Sequence, residues 1–249
     1  ARDAHRVYQL LSGAVGTSDE YAARPFRDRA EDIPKLVVYV GNDLEEFDAG
    51  AAENVGSVEK PEGEVWVTYA GNISALYDLE TLVEAVAIAA KAHPELRLKI
   101  LGDGPERASV EAAVERTGAP AGLLGYMPYR VMAAWLKASD MVVNSLVANA
   151  PQSVPTKIGD YLASGRPMIN TSMNVEFREK VVRDGFGVNV VPGDAEGLAR
   201  VICELVEDEA GRARMGRVAR ELAAAQFDRP HSYEATVDLI RGLISERTK

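Results

Sequence analysis

The chain has 249 residues, of which 47% are hydrophobic and 27% charged, so it can bury a packed core and is not a disordered chain. A formal net charge of −10 excludes a general nucleic-acid binder, whose phosphate contacts need excess Lys and Arg, while leaving room for one diphosphate held by local donors. The lone Cys203 excludes an internal disulfide and a multi-cysteine zinc site, and His5, His93 and His231 are too scattered for a metal centre. No apolar run approaches the ~20 residues of a membrane span and no signal peptide is visible, so a soluble cytoplasmic protein is expected.

Residues 1–48 hold one helix-like segment, a strand-like Ala14-Val-Gly-Thr-Ser18, a possible helix near Asp19 to Arg29 and a strand at Leu36-Val-Val-Tyr-Val40. That segment is short for a core of its own and reads as the tail of a preceding domain. Asp48 to Glu64, rich in Gly, Ala and Glu, is predicted to be a loop or linker.

From Val65 apolar strands alternate with helices. Val65-Trp-Val-Thr-Tyr69 is a strand, and Leu79, Leu82, Val83, Val86, Ala87 and Ala90 then form a stripe at helical spacing. Leu96 to Leu101 is a second strand, and Gly102-Asp-Gly-Pro105 turns into a helix with Val110 and Val114 inward. Short strands at Leu123-Leu124 and Met141 to Val143 flank a helix around Val131 to Lys137. Met168-Ile169 and Val188 to Val191 continue the alternation. Arg229-Pro230 interrupts the chain before an amphipathic helix from Tyr233 to Ile244. Strands separated by helices predict parallel pairing with right-handed crossovers, hence an α/β, doubly wound Rossmann-like sheet over 65–228.

In such a sheet ligands bind beyond the carboxyl ends of the strands. The loops to inspect are therefore Gly71-Asn72-Ile-Ser74, Gly102-Asp-Gly104, Gly125-Tyr126-Met-Pro128, and Asn144-Ser145-Leu146 leading to Gln152. The richest segment is Ser153-Val-Pro-Thr-Lys-Ile-Gly-Asp160, which reads as a helix start: free N–H groups, the Ser153 and Thr156 hydroxyls and Lys157 suit a phosphate, and Asp160 suits a sugar diol. Each piece has a plainer reading. Gly-Asp-Gly-Pro is an ordinary strand-to-helix turn, Ser153 or Thr156 can simply cap a helix, Tyr126 can be packing, and Asp160 and Lys157 can be solvated charges.

The ordered set Tyr39-Val-Gly-Asn-Asp43 with Phe47, Tyr69-Ala-Gly-Asn72, Leu101-Gly-Asp-Gly-Pro105, Gly125-Tyr126, Ala138-Ser-Asp140, Pro155-Thr-Lys157, Asp160-Tyr-Leu-Ala-Ser-Gly-Arg-Pro167, Gly187-Val188, Pro192-Gly-Asp194 and Arg217 to Phe227 resembles the C-terminal half of a GT-B glycosyltransferase of the glycosyltransferase-4 group. The Tyr-Ala-Gly-Asn and Pro-Thr-Lys elements look most like its bacterial surface-polysaccharide branch. The resemblance implies a nucleotide-sugar donor bound mainly by this half and an acceptor sugar or lipid-linked glycan held by the preceding domain. It implies a retaining transfer with no cofactor, at the cytoplasmic side or peripheral to a membrane through that domain. The expected layout is residues 1–48 as the end of the acceptor domain, 49–64 as linker, 65–228 as donor domain and 229–249 as C-terminal helix.

The resemblance further places Gly71, Asn72, Gly104, Tyr126, Ser153, Thr156 and Asp160 in donor binding, and Lys157 and Gln152 in catalysis. Asp160 replaces the usual Glu on the ribose hydroxyls, and either carboxylate accepts two hydrogen bonds from a diol. Gln152 stands where the first Glu of the family's paired-glutamate motif contacts the donor sugar, and it cannot be a carboxylate base. Many members of the resembling group carry Arg and Lys where this chain has Asn72 and Tyr77, so the usual cationic pair is absent. Lys157, the backbone donors around Ser153 to Thr156, and Asn72 are left as candidates to stabilise the leaving diphosphate, with Lys157 the one whose loss should matter most. Arg166 follows the helix and is expected to face elsewhere. No Asp-x-Asp pair sits at a strand end, which favours a metal-independent mechanism. A catalytically inactive binding or regulatory partner is the alternative reading. A nicotinamide-dependent dehydrogenase is disfavoured because Tyr69-Ala-Gly-Asn-Ile-Ser74 lacks the Gly-x-Gly-x-x-Gly turn.

Overall fold

The computed structural model describes residues 2–27, 32–150 and 154–247. Helix α1 (Arg2–Leu10) leads to β1 (Ala14–Gly16), α2 (Asp19–Ala23) and β2 (Lys35–Val37). β1 and β2 form a two-stranded parallel pair, with Ala14 opposite Lys35. Both strands are shorter than the sequence pattern suggests, and the helix predicted from Asp19 gives way to a 3₁₀ turn over Arg24–Arg27, where Pro25 sits.

The predicted linker contains a helix. α3 (Leu44–Glu53) starts at Asp43, whose carboxylate accepts from the Glu46 amide at 3.0 Å. Leu44, Phe47 and Ala51 of α3 are buried in the core. Ala and Glu are strong helix formers, so a composition that reads as a linker also suits a short helix once one face can be buried.

Then follow β3 (Val65–Ala70), α4 (Leu79–Ala89), β4 (Leu96–Leu101), α5 (Arg107–Thr117), β5 (Ala121–Gly125), α6 (Tyr129–Ala138), β6 (Met141–Asn144), α7 (Ile158–Ala163), β7 (Met168–Asn170), α8 (Val175–Asp184), β8 (Gly187–Asn189), α9 (Ala195–Glu207) and α10 (Glu209–Leu222). A π-helical turn over Ala223–Phe227 leads into α11 (Arg229–Arg247). Arg229-Pro230 therefore opens the last helix rather than interrupting the chain before it. Proline is tolerated in a first helical turn because no intrahelical partner is lost there.

β3 to β8 form one sheet in the order β5-β4-β3-β6-β7-β8, with every neighbouring pair parallel. The doubly wound expectation therefore holds. Alternation along the strands sends Val67, Tyr69, Leu98, Ile100 and Val143 to one face, packed with α4, α5 and α9. It sends Ala70, Leu101, Val142 and Met168 to the other, packed with α3, α6, α7 and α8. A sheet buried on both faces explains why the strands read as near-continuous apolar runs.

The end of the chain crosses back over the segment after β2. Asn42 donates its amide to the Phe227 carbonyl at 2.9 Å and accepts from the Arg229 amide at 2.7 Å. A Cβ on Gly41 would lie 1.7 Å from the Phe227 carbonyl oxygen, so this crossing requires glycine. The Arg229 guanidinium donates to the Gly41 carbonyl at 2.8 and 3.3 Å, and the stacked rings of Tyr39 and Phe227 lie 4.6 Å apart beside it.

Candidate functional site

Parallel pairing brings the loops after β3, β4 and β5 to one rim of the sheet, as the strand order requires. The first two loops meet backbone to backbone. Gly71 has φ +147 and Gly102 φ +132, and a Cβ on Gly102 would lie 1.9 Å from the Gly71 carbonyl oxygen. Beside this contact a chamber of about 340 Å³ is lined by Gly71, Asn72, Gly102, Asp103, Tyr126 and Met127. Tyr126 is 80% exposed, so its ring forms a wall of the chamber rather than part of the core. Gly104 does not line it. A Cβ there would strike the Ile73 carbonyl and the Asn72 side chain, so its place is in packing the second loop on the first.

A second chamber of about 500 Å³ shares Gly71 and Met132 with the first and is lined by Asn42, Glu46, Tyr129, Thr156, Lys157, Asp160 and Arg229. The two form one cleft. Among the predicted residues, Gly71, Asn72, Tyr126, Thr156, Lys157 and Asp160 come together along it. Gln152 and Ser153 lie outside the described residues. Asn144 and Ser145, at the end of β6, turn inward instead. Asn144 donates to Asn170 at 2.8 Å, and Ser145 to the Asp78 carbonyl at 2.7 Å.

The helix after Pro155 begins later than its sequence pattern suggests. α7 has six residues, starting at Ile158, with Lys157 at its cap position and no side-chain cap. Proline at 155 and the turn before the helix delay its entry. The hydroxyl of Thr156 is therefore not used as a cap, and the residue is exposed in the cleft wall. Asp160 falls in the first turn of the helix and Lys157 at its mouth.

Lys157 reaches inward along the cleft floor. Its Nζ donates to the Tyr69 hydroxyl at 3.0 Å and lies 4.1 Å from the centre of the Tyr69 ring and 3.8 Å from that of Tyr77. The Tyr69 hydroxyl in turn donates to the Asn72 carbonyl at 2.6 Å. A Cβ on Gly71 would lie 2.6 Å from Nζ, so the missing side chain is what lets the ammonium reach the junction of the two chambers. Among the described residues no carboxylate forms an ion pair with Lys157. Desolvation therefore pushes its pKa well below the ordinary lysine value.

Asp160 is held by two segments far apart in sequence. Its Oδ1 accepts from the Tyr129 hydroxyl at 2.9 Å and from Asn42 Nδ2 at 3.1 Å. Burial raises its pKa, while these two hydrogen bonds and the Arg229 charge act in the opposite direction. Asn42, Tyr129 and Arg229 escaped the sequence reading of the site. Asn42 sits in a recognised motif but carries no local sign of reaching a carboxylate on α7, and Arg229, beside a proline, carries none of bordering the same cleft. Arg166, as expected, faces elsewhere and donates to the Lys137 carbonyl. Among the described residues no group of three or more His, Cys, Asp or Glu is placed to hold a metal ion, and no helix is long and apolar enough to cross a membrane.

The family model for glycosyl transferases group 1 matches residues 64–208, more than half of the chain. This chain belongs to that family. Among curated relatives it is 24% identical over 225 residues to an alpha-D-kanosaminyltransferase of Streptomyces kanamyceticus, covering 87% of this chain and 55% of that protein. It is 31% identical over 168 residues to the lipopolysaccharide core biosynthesis glycosyltransferase LpsE of Rhizobium meliloti (strain 1021), covering 64% and 45%. The chain thus spans about half the length of these relatives. Among solved structures, Anabaena Alr3699/HepE in complex with UDP superposes with a TM-score of 0.77 at 18% identity, over 95% of this chain and 65% of that one. At that identity the superposition establishes the fold alone.

Proposed function

We propose that this chain is the donor-binding part of a glycosyltransferase that moves a sugar from a nucleoside diphosphate sugar to an acceptor in polysaccharide or glycoconjugate synthesis. The observation that carries the reading is the placement of Lys157 and Asp160 in one cleft at the carboxyl ends of parallel strands, where a cation and a diol acceptor stand one helical turn apart in the wall of one chamber. Asp160 takes the ribose hydroxyls. Lys157 takes the diphosphate, and its ammonium stabilises the charge that grows on the leaving group as the glycosidic bond breaks. The smaller chamber, bounded by Tyr126 and Met127, takes the base. UDP and UDP-glucose are bound in structures of Anabaena HepE, which supports a nucleotide-sugar donor here.

In this reading transfer retains anomeric configuration and needs no cofactor or metal, and Gln152 contacts the donor sugar. Ser153 and Thr156 add polar groups near the phosphates. The acceptor, a sugar or lipid-linked glycan, meets a preceding acceptor domain on the cytoplasmic side or at a membrane surface, and residues 1–48 belong to that domain. Titration calorimetry of this chain with UDP, GDP and ADP tests the donor site. At least one binds, and Asp160→Ala weakens it. If a folded chain binds none of them, the proposal falls.

A further inference from the structure

The Asp160 carboxylate is clamped asymmetrically. Tyr129 and Asn42 both place their donors on Oδ1, and among the described residues no donor falls on Oδ2. Asn42 Nδ2 also lies 3.4 Å from the Tyr129 hydroxyl oxygen, so the three side chains close on one another. The Asn42 amide has only one tenable orientation. Flipped, its carbonyl would oppose the carboxylate, so the NH₂ group must face Asp160.

That orientation leaves the Asn42 side-chain oxygen, Oδ1, buried with no partner among the described residues. An unsatisfied buried carbonyl is unfavourable and calls for a compensating role. The backbone of Asn42 is fixed at the same time. It is hydrogen-bonded on both sides to the crossing at Phe227 and Arg229, and a Cβ on Gly159 of α7 would come within 3.2 Å of its nitrogen. An amide on a backbone this constrained has little freedom except to hold the carboxylate.

We infer that Asn42, with Tyr129, is a positioning residue of the donor site: anchored in the chain crossing, it holds Asp160 Oδ1 so that Oδ2 faces the cleft and selects a nucleoside diphosphate bearing ribose hydroxyls. The inference rests on the donor reading above and adds the residues that make Asp160 selective.

The test uses the tightest binder among UDP, GDP and ADP together with its 2′,3′-dideoxy counterpart, measured by calorimetry on wild type, Asn42→Ala and Tyr129→Phe. Tyr129→Phe keeps the ring that packs edge-on against Phe47 at 6.3 Å, so it covers the case in which Asn42→Ala fails to fold. In wild type the ribonucleotide binds about 10- to 100-fold tighter than the dideoxy form, the range of a hydrogen bond to a charged group. In each variant that ratio falls to within about threefold, while dideoxy affinity stays within about twofold of wild type. Equal losses for both ligands, or an unchanged ratio in the variants, overturn the positioning role and leave the donor reading intact. A wild-type ratio near one removes Asp160 from the ribose and this inference with it. No binding by any of the three diphosphates overturns both.

Discussion

The ammonium of Lys157 lies 3.8 Å from the centre of the Tyr77 ring. The resemblance read from the sequence leads one to expect a lysine at position 77, so a residue that reads in sequence as a lost cation supplies a π face to Lys157. With Tyr69 on another side, the ammonium is held by rings and a hydroxyl rather than by a carboxylate. Such a cage leaves its charge uncancelled for an incoming anion.

Lys157→Met is therefore expected to cost nucleoside diphosphate about 10- to 100-fold in affinity, the range of a charge-assisted hydrogen bond, and to affect the bare nucleoside little. Calorimetry with diphosphate, monophosphate and nucleoside of the preferred base checks this. Equal losses across the three would place Lys157 away from the phosphates.

Tyr77→Lys places a second cation beside the first. In the empty protein the two ammonium groups repel, so thermal stability falls. With diphosphate present the pair binds more tightly, and the affinity declines more steeply with added salt than in wild type. A thermal melt and a salt series on one variant read both effects, and a variant that is less stable without gaining affinity contradicts the cage as a phosphate site.

Diphosphate binding should weaken at both ends of the pH range. The lowered pKa of Lys157 means that the empty site loses its ammonium at a lower pH than an ordinary lysine, so affinity declines as pH rises and binding takes up a proton in that limb. The raised pKa of Asp160 means that its carboxylate is protonated sooner as pH falls, which weakens ribose binding on the acid side. The groups bordering Asp160 are Tyr129, Asn42 and Arg229, with Asp43 and Glu46 further along the wall. Calorimetry across pH in buffers of different ionisation enthalpy measures both limbs, and an absence of proton uptake on the alkaline side contradicts the first.

Gly41→Ala tests the chain crossing. Its Cβ would stand 1.7 Å from the Phe227 carbonyl oxygen, a clash with backbone that no rotamer relieves. We expect a loss of about 3 kcal/mol or more, read as a fall in Tm of several degrees. An unchanged Tm would mean that the crossing yields freely and cannot anchor Asn42.

The sequence alone determined the doubly wound sheet, because parallel strands buried on both faces leave a local record: apolar runs of strand length alternating with helical stripes. It also singled out Lys157 and Asp160, since both stand in a short segment whose residue types suit a phosphate and a diol. Helix α3 was hidden because its Ala- and Glu-rich residues declare a helix only when Phe47 finds a core to enter. The tertiary structure alone decided how the two charges are presented. Tyr69 and Tyr77 meet Lys157 from another strand and loop, and Asn42 and Tyr129 reach Asp160 across 118 and 31 residues of chain. Contacts of that span follow from sheet order and the chain crossing, and side-chain pairs made by them have no period or spacing for a sequence to display.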